Sequence, residues 1–144
     1  MTTLLLSVLL SLTAPAAADD TLGAANSLAS GRFEEIAAQL ELSAAQRKTV
    51  TDAVYTANTA KIDLEARVEK ARLEVRHLLA AEPLDEKAVL KATDTLSAAE
   101  GELRRNRVQL VLAVRKSLTA DQWTELVAIR QERKASRRSE KDEE

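Results

Sequence analysis

The stretch Leu78-Leu79-Ala80-Ala81-Glu82-Pro83-Leu84-Asp85-Glu86 decides how this chain folds. On either side lie long runs rich in Ala, Leu, Glu, Lys and Arg, and the whole chain has only 3 Gly and 2 Pro, a composition that favours long helices. Pro83 cannot continue the first run, because its ring removes a backbone donor and collides with the preceding turn. Asp85 and Glu86 then stand where a new helix start favours negative charge. The sequence predicts one helix from about residue 44 to about Ala81, and a second from about Asp85 to about Ser117.

Outward from the proline, the two runs match. In the first, Val50, Val54, Ala57, Lys61, Leu64, Val68, Ala71, Val75 and Leu78 alternate four and three apart. In the second, Val89, Thr93, Leu96, Glu100, Leu103, Arg107, Leu110, Val114 and Ser117 do the same. This is the 3.5-residue period of a coiled-coil seam. Folded back at Pro83, the series meet antiparallel. Val50 faces Ser117, Val54 faces Val114, Ala57 faces Leu110, Leu64 faces Leu103, Ala71 faces Leu96 and Leu78 faces Val89, each pair of numbers totalling 167 or 168.

The same register sets Lys61 against Arg107 and Val68 against Glu100. A dry like-charge pair is too costly to persist, so the middle of the hairpin is expected to be wet or to recruit carboxylates. Val108 and Leu110 to Val114 are apolar almost all round and need cover on more than one side. A short helix at about 31–41, with Phe33, Ile36, Ala37 and Leu40 on one face, and the segment Trp123–Val127 are the expected covers. The fold class is all-α: a long antiparallel helical hairpin with two shorter flanking helices. A lone hairpin buries little, so further burial, including a second subunit, is expected.

At the open end stand two copies of one pattern. Leu42-Ser43-Ala44-Ala45-Gln46 and Leu118-Thr119-Ala120-Asp121-Gln122 both read L-[ST]-x-x-Q. Each is a capping box: the hydroxyl of Ser43 or Thr119 accepts from the backbone N–H three residues on, and Gln46 or Gln122 reaches back to the cap's own N–H. Leu118 can staple against Trp123, whereas the partner position of Leu42 is Arg47, which offers only an aliphatic stem.

Paired boxes on a short all-helical chain resemble the Spy/CpxP family of periplasmic chaperones, whose scaffold is shared by periplasmic heavy-metal sensor and resistance proteins. The resemblance covers residues 31–135. It implies an elongated, curved homodimer that binds unfolded or partly folded envelope proteins without ATP. The alternative it implies is a metal- or stress-sensing accessory that regulates a periplasmic sensor domain of a kinase, or an anti-sigma partner. Sensor-type relatives carry extra His, Met or acidic ligands that this chain does not show.

Leu4 to Leu12 is an apolar run followed by Ala16-Ala17-Ala18, which reads as a cleaved export signal over residues 1–18 and places the protein in the periplasm. Residues 2–18 hold no Lys or Arg, which keeps an uncleaved N-terminal anchor as the alternative. A flexible segment is expected at 19–30, a four-helix domain at 31–135, and a disordered charged tail at 136–144. With a net charge of −2 and both signs mixed, nothing draws the chain to nucleic acid.

Chemistry is sparse. There is one histidine, His77, no Cys, and no Met beyond the initiator, so no metal ligand set and no cofactor site is expected. No Gly-rich phosphate loop or nucleophile elbow occurs, and the protein is expected not to be an enzyme. Asp63 with Arg67 and Glu100 with Arg104 are spaced for ion pairs on one helix face. Two cationic groups are the candidate client or partner surface. Arg104, Arg105, Arg107, Arg115 and Lys116 mix with Leu103, Leu110 and Leu112 on the second long helix. Arg130, Arg133, Lys134, Arg137 and Arg138 form one face of the last helix, which serves equally as favourable charge near a helix C-terminus.

Overall fold

The computed structural model describes residues 23–25, 28 and 32–142. Its main elements are α1 (Phe33–Gln39), α2 (Ala44–Leu79), α3 (Glu86–Ser117) and α4 (Ala120–Asp142), and no strand occurs among the described residues. The predicted export signal lies outside them. No described helix is long and apolar enough to cross a membrane.

α2 and α3 form the antiparallel hairpin. α2, 36 residues long, extends about 54 Å at the usual helical rise. It stops at Leu79, and α3 restarts behind Asp85, whose side chain accepts from the Ala88 N–H at 3.0 Å. Two ion pairs span the hairpin, Arg67–Glu102 and Arg72–Glu100. They replace the same-helix pairs Asp63–Arg67 and Glu100–Arg104 that spacing predicted: across the hairpin Arg67 meets Glu102, and Glu100 meets Arg72.

The seam of α2 follows the expected row: Val50, Ala57, Val68 and Ala71 are buried, and Val54, Leu64, Val75 and Leu78 are half-buried. The seam of α3 departs from it at alternate layers. Ala92 and Ala99 are buried where Thr93 and Glu100 were expected to point inward. Asn106 takes the layer assigned to Arg107 and donates to the Ala57 carbonyl at 3.0 Å. Arg107 is exposed, and exposed Lys61 pairs with Glu65 at 3.4 Å. The predicted Lys61–Arg107 clash therefore does not arise. Both rows satisfy a 3.5-residue period, and small side chains win because they let two helices approach closely.

The open end carries the main core. Ile36, Ala37 and Leu40, with Leu42, Val50, Leu110, Val111, Val114, Leu118, Leu126 and Ile129, form one buried cluster that Phe33, Trp123 and Val127 flank. The first and last helices thus cover the apolar stretch of α3 as expected, except that Val108 and Leu112 stay exposed. Ala24, Ala25 and Leu28 belong to the same cluster, and residues 23–25 and 28 are helical. Their apolar side chains complete the cover. The charged tail is helical as far as Asp142. Its Arg, Lys, Glu and Ala are strong helix formers and no breaker interrupts them, so α4 runs on past residue 135.

α1 meets α2 through a tight reversal. Glu41 has a left-handed φ of 50°. The Glu41 N–H donates to the Ala38 carbonyl at 3.1 Å, and the Leu42 N–H to the Ala37 carbonyl at 3.0 Å. This pair of bonds closes a helix by the Schellman pattern and drops Leu42 back onto the core.

Candidate functional site

Both capping boxes form. Gln46 N–H donates to Ser43 Oγ at 3.2 Å and Gln122 N–H to Thr119 Oγ1 at 3.2 Å. Each glutamine Oε1 accepts from its own cap's N–H at 3.0 Å. Leu42 and Leu118 are buried beside them. Arg47 replaces the missing staple with polar contacts, donating to the Leu42 carbonyl at 3.2 Å and to Glu34 at 2.8 Å.

The boxes also grip each other. Gln46 Nε2 donates to Gln122 Oε1 at 2.8 Å and to the Ser117 carbonyl at 3.0 Å. Gln122 Nε2 donates to the Leu40 carbonyl at 3.1 Å, with a longer approach of 3.4 Å to Gln46 Oε1. Two amides thus satisfy backbone groups at the ends of α1 and α3 and at the starts of α2 and α4. One half-buried cluster ties four helix termini together. This mutual clasp is the feature that motif reading missed. The signal was available: 46 and 122 also total 168, so the hairpin register points one box at the other.

The cationic groups divide. On α4, Arg133 is half-buried and pairs with Glu35 of α1 at 3.5 Å. The Arg130 guanidinium lies against Gly23, where a Cβ would come within 1.7 Å of it. Arg130, Arg133 and Lys134 are all partly buried, and Arg137 is exposed. Arg130 and Arg133 are therefore packed against the chain's own N-terminal part, not offered along an open stripe.

On α3, Leu103 is half-buried and Leu110 buried, so neither contributes to a binding surface as expected. Val108, 40% exposed, and Leu112, 51% exposed, are the aliphatic side chains on its outer face. Arg104, Arg105, Arg107, Arg115 and Lys116 are exposed around them. None of these five has an ion-pair partner among the described residues, and Arg115 stacks over the Trp123 ring at 5.4 Å from its centroid. Beside this face, Asp52, Ala53, Thr56 and Ala57 of α2 and Asn106, Gln109, Leu110 and Ala113 of α3 line an open groove of about 320 Å³.

A family model described as heavy-metal resistance matches residues 2–125. The chain belongs to the heavy-metal resistance family. That family is related to Spy/CpxP-like periplasmic proteins. No curated protein and no solved structure was found to match the chain.

The family description raises the question of a resident metal. Soft heavy-metal ions favour thiolate, thioether and imidazole donors. Among the described residues no group of three or more His, Cys, Asp or Glu side chains could hold a metal ion. His77 is exposed in the last turn of α2. The described residues do not fit such an ion.

Proposed function

We propose that this member of the heavy-metal resistance family is a periplasmic holding protein and not an enzyme. It binds unfolding envelope proteins, without ATP, on the outer amphiphilic surface of its hairpin. One observation carries the reading: α3 leaves Val108 and Leu112 exposed among arginines that no carboxylate neutralises among the described residues. Aliphatic area beside guanidinium groups can capture exposed acidic and apolar segments without demanding a sequence. A broad surface and an open groove suit clients of no fixed shape. Homodimerisation belongs to the same proposal. Leu73, Leu79, Leu84 and Leu90 are all exposed along the arm near the turn, which leaves apolar area for a second subunit to cover.

The test is light scattering by several denaturing clients at modest molar ratios of the protein, without nucleotide. Suppression is expected, and its absence across all clients removes the proposal. The family description favours a second reading, an accessory that reports metal stress to a periplasmic sensor domain. Calorimetry with zinc, copper, nickel and cobalt tests its metal form, which requires saturable, stoichiometric binding.

A further inference from the structure

We infer that the outer face of α3 selects client segments in which a short aliphatic stretch is flanked at both ends by carboxylates, about three helical turns apart. This rests on the holding function proposed above and names what the surface prefers. The argument begins with spacing. Arg104 and Arg115 are eleven residues apart on one edge of the face, and Arg105 and Lys116 are eleven apart on the other. Eleven residues make about three turns and span about 16 Å, so the four cations mark the corners of a narrow plate. Val108 and Leu112 lie between them, one turn apart and exposed.

The charge of this plate is uncompensated by design of the seam. The carboxylates that precede it on α3, Glu100 and Glu102, are drawn across the hairpin to Arg72 and Arg67. The outer face of α2 differs. There Lys48 pairs with Asp52, and Glu69 lies near both Arg72 and Arg76. Its exposed Tyr55, Ile62 and Leu73 therefore sit among charges that largely cancel. Charge complementarity singles out α3 as the face for an anionic partner. Stacking on Trp123 restricts the Arg115 side chain before any partner arrives, which lowers the ordering cost of a carboxylate contact there. A finite plate with an apolar centre and cations at its ends matches a short amphipathic segment. An anionic lipid surface, which has no ends, would be served better by cations spread along the whole helix.

Trp123 is the only tryptophan and lies under one corner of the plate, so its fluorescence reads occupancy. The probes are two aromatic-free peptides, each an Ala/Leu stretch of about eleven residues, ended by paired Glu in one and paired Lys in the other. The Glu-ended peptide is expected to bind saturably and at least about tenfold more tightly, a preference that several exposed ion pairs together can supply and that added salt weakens. The double variant Arg104→Glu/Arg105→Glu, at exposed sites outside the core, leaves the plate with opposite charges at its two ends and should abolish the preference. Lys70→Glu, at an exposed site on α2, should leave it intact. Equal binding of the two peptides, or no change on charge reversal, overturns the inference. So does tighter binding to phosphatidylglycerol vesicles than to the Glu-ended peptide. Equal binding with normal scattering suppression sinks the plate alone. No suppression by the unaltered protein sinks the holding function, whichever peptide binds.

Discussion

The two ends of the hairpin are built from the same two helices and are held in opposite ways. At the open end, Ile36, Val50, Val114 and Leu126 are fully buried, and the Gln46–Gln122 pair satisfies the surrounding helix termini. Toward the turn, only Val68, Ala71, Ala92 and Ala99 are buried, Leu73, Leu79, Leu84 and Leu90 are exposed, and polar ties such as Arg72–Glu100 cross between the helices. The same coiled-coil period thus gives a cored head and a thin arm, depending on whether a third and fourth layer arrive. Local opening should be cheap in the arm and nearly as costly as global unfolding in the head. Amide hydrogen exchange is the direct comparison, with protection expected to fall from Val114 toward Leu90.

The largest effect should come from cutting the head's core. Leu126→Ala empties a fully buried site and should cost about 3 kcal/mol, read by chemical denaturation. Leu73→Ala in the arm, at a side chain 54% exposed, should cost a small fraction of that. Equal losses would break the contrast between head and arm.

The clasp comes next. Gln46→Ala and Gln122→Ala each strand backbone groups at two helix ends and should cost about 1–2 kcal/mol. What distinguishes a clasp from two separate caps is their coupling. A double-mutant cycle should return an interaction of about 0.5–1 kcal/mol, whereas independent caps would simply add.

Much of the head's architecture was readable from residues, and the exceptions have physical causes. Pro83 and the matched seams place the fold-back, and the two boxes fix where α2 and α4 begin. The α3 seam was ambiguous, because Thr93, Glu100 and Arg107 repeat with the same period as Ala92, Ala99 and Asn106. Period alone cannot rank those rows. Size can: a helix pair closes on Ala92 and Ala99 and leaves the long charged side chains outside. Leu103 and Leu110 were seam positions from the start, so Val108 and Leu112 are the aliphatics left on the outer face. The clasp stayed hidden because capping is a local explanation that already accounts for each glutamine. Only the global register reveals that each amide has a second partner. Glu41 carried no sequence signal, because glycine is the usual residue at its position.

That position gives a test of how the head is assembled. Glu41→Gly removes the side-chain cost of a left-handed residue and should stabilise the protein by about 0.5–1 kcal/mol, seen as a higher denaturation midpoint. The gain should extend protection in α1, because the reversal is what returns Leu42 to the core. A loss of stability would mean that the Glu41 side chain contributes more than its backbone costs.

The smallest effect belongs to the arm, and its smallness is informative. Arg72 and Glu100 are joined at 3.0 Å, yet their side chains remain 53% and 39% exposed. Water and salt screen such a pair, so removing either partner should cost no more than about 0.5 kcal/mol. Raising the salt concentration should erase most of that difference, while leaving the Gln46–Gln122 coupling, between neutral amides, nearly unchanged. The two salt responses separate the ways in which the hairpin is closed. If the Arg72–Glu100 coupling survived high salt as well as the amide coupling does, the arm would have to be drier than its exposed side chains indicate, and a second subunit covering it would become the natural cause.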